Sequence, residues 1–508
     1  MDKAVIFTQA YNAESVLSVS IESVLNQTYR DFSYYICDNG STDKTREIIM
    51  EYAKHDSRVK PILRDVNHRT QPLFDFVSSI SEKDAEYFVN LDADDEYELD
   101  FLEKTIAFAD ENSLDITACS STFIDVKTNV SIGARTLQLN LIIDDKSFSE
   151  SFHICHQFMR TVWGKLFRIS LIEKCDYKNQ SIINEVVYGN DTLFCMRAFK
   201  LANRIGILAD SLHNYHFSKE TISYNFDIER IHSDQKLYDE AIMLLIAKVG
   251  FVSNLNSDFL LIVYLHSLID TLRTLFRSDT DNQKRYEAIS LIFMCSQTRE
   301  LASTDFSFYI QENPVKSEMF KEVLDWIITH IEICSDEELE KFCEIIAIAE
   351  TLPSRFSKWN ITKIFKLIAI VHNKAKSENF IHHLNLRITE IASKRPLLAG
   401  FDAEFLVFFS EIVIEVLDNR LTNALEMLEI IFAEEREIPS GMSEMLTILG
   451  LNLAAKEEKT DYFLFFKKVQ IHLLIISGEY VKAIEELADW DQLVPDDDFK
   501  ELRRVLNK

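Results

Sequence analysis

Residues 86–95 read Glu-Tyr-Phe-Val-Asn-Leu-Asp-Ala-Asp-Asp, a short apolar strand pattern that runs into Asp92, Asp94 and Asp95. Carboxylates this closely spaced repel one another unless a cation sits among them. Hard oxygen donors of this kind suit Mg2+ or Mn2+, which keep bound waters and take substrate phosphates as further ligands. An acidic trio at a strand end therefore implies metal-assisted chemistry on a phosphorylated substrate.

The flanking sequence repeats the same alternation. Ala4–Thr8, Ser33–Cys37, Val59–Leu63, Tyr87–Leu91 and Ile116–Cys119 read as strands, separated by helical patterns such as Val16, Ile21, Val24 and Leu25. Strands alternating with helices of this length predict a mainly parallel sheet covered on both faces. In such sheets ligands bind beyond the carboxyl ends of the strands. Tyr11-Asn12, the turn Asp38-Asn39-Gly40-Ser41-Thr42-Asp43 and the Asp92 run all fall at such ends, so three loops converge on one crevice.

A formal charge of −28 over 508 residues excludes a general nucleic-acid surface, which needs a field of Lys and Arg. The start, Met1-Asp2-Lys3-Ala4-Val5-Ile6-Phe7, enters a strand without the features of a secretory signal. Apolar stretches such as Phe259–Leu265 are interrupted by His266 and Asp270, short of the roughly 18 residues of a membrane span. The eight cysteines form no CxxC pair, which points to reduced thiols and a cytoplasmic location.

From about residue 231 the pattern becomes wholly helical, with segments from 232–249 and 256–277 through 479–489. This divides the chain into an α/β domain, 1–230, and an all-α domain, 231–508, with a break near 352–400 where two sub-bundles would part. Leu417-Asp418-Asn419-Arg420-Leu421-Thr422-Asn423-Ala424-Leu425 is echoed by Ile476-Ser477-Gly478-Glu479-Tyr480-Val481-Lys482-Ala483-Ile484. The second copy resembles a tetratricopeptide hairpin, and the spacing implies an irregular helical array serving as a platform for self-association, a partner protein or acceptor binding.

Taken together, the ordered motifs of the N-terminal half resemble a family 2 glycosyltransferase of the GT-A fold, Rossmann-like and mainly parallel. They are Tyr11-Asn12 after the first strand, Asp38-Asn39-Gly40-Ser41, Leu91-Asp92-Ala93-Asp94-Asp95, Trp163-Gly164-Lys165-Leu166-Phe167, Gly189-Asn190-Asp191-Thr192-Leu193-Phe194, and Tyr215-His216 with Ile222-Ser223. The resemblance implies an inverting transfer of a sugar from a nucleotide sugar, a UDP-sugar first of all, to a hydroxyl of a glycan, glycoprotein or lipid-linked acceptor. Tyr11 and Asp38 would hold the base, Asp92 the ribose or metal, and Asp94 the Mn2+ or Mg2+ ion. Asp191 would be the general base, and Lys165, His216 and Lys219 would close over the diphosphate. Asn190 departs from the family's usual Glu, and Arg69 and Asp75 stand where an Arg-Asn pair is common.

Each assignment has a plainer counterpart. Asp38 suits a simple turn with Asn39-Gly40, Asp191 suits a helix cap, Trp163 suits packing, and His213 and His216 suit ordinary strand positions. For the whole chain the counterpart is a catalytically silent, glycosyltransferase-like scaffold that binds partners through its helices.

Overall fold

The computed structural model describes residues 2–175, 177, 186–217, 226–330, 419–433 and 440–491, with isolated positions between 341 and 416 and at 438. The expected helices over 337–350, 360–375, 379–393 and 402–417 and the break near 352–400 fall mostly outside these residues, as do Lys219, Ile222 and Ser223.

The chain starts with four parallel strands, β1 (Asp2–Ala10), β2 (Phe32–Asn39), β3 (Val59–Arg64) and β4 (Ala85–Asn90), in the spatial order β3-β2-β1-β4. The helix Leu17–Leu25 shows why the crossovers pack: Leu17, Ser20, Ile21 and Val24 recur on one face and are all buried. Register Ala10↔Asp38 on one side of β1 and Phe7↔Asn90 on the other brings three strand ends to one edge. The second half of the sheet departs from chain order. The strand β9 (Lys165–Arg168) inserts antiparallel between β4 and β6 (Ile116–Asp125). Beyond β6 lies β10 (Arg204–Phe217), which takes β5 (Glu96–Tyr97) and β8 (Leu141–Asp144) as antiparallel neighbours, while β7 (Val130–Arg135) pairs with β6. The expected α/β class, a mainly parallel sheet followed by helices, is what the structure shows.

The sheet's core holds Ile6, Tyr34, Ile36, Tyr87, Val89 and Leu166 against Leu17, Ile21, Phe101 and Ile106. On the other face Phe7 stacks on Phe76 at 4.6 Å and Phe88 on Phe167 at 6.1 Å. Burying each such side chain is worth about 1.5–3 kcal/mol, which holds β4 in the middle of the sheet.

The loss of strand pattern at 230 marks the last strand rather than the end of packing. One compact unit comprises Met1–Leu301 with Asp305–Asn313, and the other Ala302–Thr304 with Pro314–Lys508. The helices Glu229–Val249, Asn254–Arg277, Asn282–Met294 and Ser296–Ser303 thus belong with the sheet. Asn256 Nδ2 donates to Ser149 O at 2.9 Å, and Lys248 Nζ donates to Asp145 Oδ1 at 2.6 Å. The helix Asn254–Arg277 is long and apolar enough to cross a membrane by length and composition. Here Leu260, Leu261, Tyr264, Leu265, Leu268 and Leu272 are buried inside the protein, as in a core helix.

In the second unit, Leu421–Ala433, Ser440–Lys456, Thr460–Ile476 and Tyr480–Asp491 are helices, and Ala424, Leu428, Leu446, Leu453 and Phe466 form a core. Both copies of the echoed segment turn through a left-handed residue, Asn419 (φ 59°) and Gly478 (φ 81°). In each, the next N–H reaches back five residues, Arg420 to Glu415 O at 2.8 Å and Glu479 to Leu474 O at 2.9 Å, closing a Schellman-type helix end.

One side chain ties the rearranged strands together. The Tyr97 hydroxyl donates to Asn90 O at 2.7 Å and accepts from Gly164 N–H at 3.1 Å, while its ring stacks on Phe101 at 3.7 Å. Replacing Tyr97 with Phe keeps the ring and removes both bonds. Urea unfolding is expected to show a loss of about 1–3 kcal/mol; an unchanged midpoint would show that the hydroxyl contributes nothing.

Candidate active site

The buried end of β4 continues through Leu91, whose N–H donates to Phe7 O at 3.0 Å, so the chain is still held by β1 as it reaches the aspartates. A turn follows in which Asp95 N–H donates to Asp92 O at 3.2 Å, and Ser20 Oγ donates to the same carbonyl. This turn separates the fates of the three carboxylates.

Asp95 points inward and has no exposed surface. One oxygen accepts from His216 N–H at 2.9 Å, and the other lies 3.2 Å from Nε2 of the equally buried His213. Burial, with Asp94 nearby, drives the Asp95 carboxyl well above the usual carboxylate range, and burial drives His213 well below its usual value. Burial thus disfavours the charged form at each of these two facing groups. The His213 ring is stacked on Trp163 at 4.2 Å and meets the edge of Tyr97 at 5.5 Å. It reaches this place because register shifts between Leu208, Ser211 and His213 re-aim the end of β10.

Asp92 is half-buried and Asp94 exposed. The Asp92 carboxyl is raised well above its ordinary value, first by burial and then by the charges of Asp95, Asp191 and Asp94. Its Oδ1 accepts from Asn90 Nδ2 at 3.3 Å. Asp94 is raised by desolvation, with His216 and His213 pulling the other way.

Asp191 stands in the first turn of the helix Asn190–Leu201, entered through Gly189 at φ 79°. Burial pushes its carboxyl up to about 6, opposed by the charge of Lys165. The field of Asp191 at Asp92 shows that the fold brings together two carboxylates 99 positions apart in sequence. Beside them, Asn190 Oδ1 is buried without a hydrogen-bond partner.

The remaining predicted residues are placed as follows. Tyr11 is 46% exposed at the end of β1. Asp38 has no exposed surface: Oδ1 accepts from Ser41 N–H at 3.0 Å, and Oδ2 accepts from Arg46 Nε at 2.7 Å. Asn12 fastens the two loops, accepting from Thr42 N–H at 2.8 Å while its own N–H donates to Ser41 Oγ. Lys165 is buried, and its ammonium donates to Thr161 O at 2.5 Å and Trp163 O at 3.1 Å. Burial lowers its pKa to about 8. His216 lies beside Asp94 with Nε2 2.8 Å from Glu96 Oε1. Arg69 and Asp75 do not pair with each other; Asp75 binds Arg64 at 2.6 Å and Gln71 at 2.7 Å.

Asp92, Asp94, Asp191, Lys165 and His216 thus form one electrostatic neighbourhood, with Tyr11 and Asp38 at the adjoining strand ends. Sequence reasoning missed two partners, Arg46 for Asp38 and His213 for Asp95. Arg46 was within reach of inference, in the first turn of the helix that follows Asp38; the bulges that deliver His213 leave no local signal.

The carboxylate set fits a divalent cation, because its members are crowded and partly desolvated. Among the described residues no group of three or more His, Cys, Asp or Glu side chains is placed to hold a metal ion by itself. Asp94 and Asp92 would hold the ion from one side, leaving its other positions to donor phosphates and water.

Residues 5–168 match the family model "Glycosyl transferase family 2". The chain is 26% identical over 216 residues to EpsJ, an uncharacterized glycosyltransferase of Bacillus subtilis, a match covering 41% of this chain and 60% of that one. It is also 26% identical over 266 residues to an uncharacterized glycosyltransferase of Haemophilus influenzae, covering 50% of this chain and 78% of the relative. Among solved structures, Staphylococcus aureus TarS residues 1–349 with UDP overlaps it at a TM-score of 0.37 and 15% identity, covering 69% of this chain and 90% of that one.

A carboxyl with a raised folded pKa favours the protonated fold, so ionising Asp92 and Asp94 costs stability as pH climbs from their unfolded toward their folded values. A cation that binds the ionised form offsets this cost. The rise in Tm caused by Mn2+ is therefore expected to be larger at about pH 7.5 than at about pH 5.5 and to be mostly lost in Asp94→Ala. A shift that persists in Asp94→Ala would place the ion elsewhere.

Proposed function

Residues 5–168 form a family 2 glycosyltransferase domain, and we propose that the whole chain is an inverting, metal-dependent glycosyltransferase that draws on a nucleotide sugar, with a UDP-sugar as donor. The observation that carries this reading is the placement of Asp92 and Asp94 just past the end of β4, in register with the ends of β1 and β2 and within the residues that match the family model.

Asp191, ionised, takes the proton of an acceptor hydroxyl. The hydroxyl oxygen attacks the anomeric carbon, the bond from that carbon to the donor phosphate oxygen breaks, and the electron pair leaves with the nucleoside diphosphate. A single displacement of this kind inverts the anomeric centre. A divalent ion on Asp94 and Asp92 would supply charge neutralisation for the leaving diphosphate. Lys165 supports the base from beneath: its ammonium is tied to two carbonyls, so it contributes field at Asp191 rather than a direct phosphate contact. Tyr11 offers an open ring for the base. Asp38, closed by Arg46, admits a base N–H only on a lone pair that its two present donors leave free. Asn190 Oδ1, unpaired among the described residues, suits a substrate hydroxyl.

The acceptor in this reading is a glycan, a glycoprotein or a lipid-linked sugar, and the helices beyond 314 serve acceptor binding or self-association. A cytoplasmic setting accords with Cys37, Cys119, Cys155, Cys175, Cys195 and Cys295, which are free and buried.

The test is hydrolysis of UDP-glucose, UDP-galactose, UDP-N-acetylglucosamine and GDP-mannose with Mn2+. Asp191→Asn is expected to cut turnover by about 10²–10⁴-fold while nucleotide affinity stays nearly constant. Turnover in the unmodified protein should fall as pH drops through about 6, where Asp191 gains its proton. No hydrolysis and no nucleotide-induced rise in Tm would favour the scaffold reading. Full activity in Asp191→Asn would remove that residue from the chemistry.

A further inference from the structure

The segment that delivers Asp191 is held by a helix far beyond the matched family region. Val187 and Tyr188 direct their N–H groups at one atom, Ser233 Oγ, at 3.2 and 3.3 Å. The Ser233 hydroxyl donates its own proton to Glu229 O at 2.9 Å, so its acceptor capacity is left for those two amides. The residue is 2% exposed and belongs to the helix Glu229–Val249. One turn further along, Leu237 closes on Gly189: a Cβ added to that glycine would lie 2.6 Å from Leu237 Cδ1. One turn earlier, the Arg230 guanidinium lies over the Tyr188 ring at 5.2 Å. Positions 230, 233 and 237 share one face of the helix. All three touch residues 188–189 or their neighbour 187, immediately before the turn that carries Asp191. Gly189 then accepts Leu193 N–H at 3.0 Å, which starts the Asp191 helix directly from the gripped residues.

We propose that Ser233 is a positioning residue for Asp191, fixing the backbone entry to its helix, with Leu237 setting how closely that backbone approaches. The proposal rests on the reading of Asp191 as the base. It extends the catalytic unit to a helix whose sequence shows only apolar periodicity. The physical argument is one of placement: without Ser233 Oγ, two backbone N–H groups lose their common acceptor, the entry to the helix loosens, and a base displaced by even about 1 Å loses much of its effect.

The experiment compares Ser233→Ala and Ser233→Thr in the full chain, with Mn2+ and the four sugar nucleotides named above, alongside hydrogen exchange of the peptide spanning 186–193. Ser233→Ala is expected to lower kcat by about tenfold, leave donor KM within about twofold, and speed exchange in that peptide. Ser233→Thr, which keeps the hydroxyl, should restore kcat and slow exchange. Unchanged exchange in Ser233→Ala overturns the proposal whether or not a donor is turned over. Unchanged kcat, or an activity loss matched by the unfolded fraction, overturns it as well. If Asp191→Asn is fully active, the base assignment fails and Ser233 with it. If Asp191→Asn is inactive while Ser233→Ala behaves as the unmodified protein, only the Ser233 proposal fails.

Discussion

Carboxylate crowding at the end of one buried strand is the constraint around which the rest of the site is arranged. Asp92 feels the charges of Asp95, Asp191 and Asp94, and the more deeply a carboxyl of this set is buried the more its isolated charge costs. The fold meets this cost differently at each carboxyl. Asp95 is set against the buried His213 and accepts the His216 N–H, and so serves as a brace. Asp38, at the neighbouring strand end, is closed by the Arg46 guanidinium. Among the described residues Asp92, Asp94 and Asp191 have no such partner of opposite charge in contact. In the proposed reaction they are the positions at which an outside cation and a proton from substrate would act.

The scaffold transmits this constraint outward. The β4 strand is clamped by β1 and β9, and Tyr97 joins the ends of β4 and β9 through one hydroxyl. Asp191, the proposed base, stands on a helix whose entry is set by Gly189 and gripped by Glu229–Val249. The first helices after the last strand are therefore part of the unit that shapes the crevice. A chain carrying −28 places few cations there, and the nearest, Lys165, is spent on carbonyls. Neutralisation of a diphosphate would fall chiefly to a metal ion.

Much of this was legible in the chain because it depends on local rules. A short apolar run followed by Asp-Ala-Asp-Asp is readable as a strand end with ligands, and five of the strands show the same run-and-turn grammar. The strands β5, β7, β8 and β9 escaped notice because they are short or irregular and their partners are distant in sequence, and of β10 only the stretch around His213 and His216 was read as strand. The β9 strand pairs with residues near 88 and 117, a choice made by the apolar surface of the assembled sheet. Lys165 shows the same limit. Its type and place suggested a phosphate contact, but only the packed neighbourhood reveals that its ammonium is capped by Thr161 and Trp163.

Sequence by itself determined the class of fold, the three loops at the strand ends, and the identity of the acidic groups, because hydrophobic period and turn chemistry act over a few residues. Tertiary structure alone decided which acid is braced and which is open, that the charge of Asp191 reaches Asp92, and that the helix Glu229–Val249 holds the entry to the Asp191 helix. Those outcomes depend on burial and on distances between residues far apart in the chain, and desolvation is a property of the folded surroundings that no single segment carries.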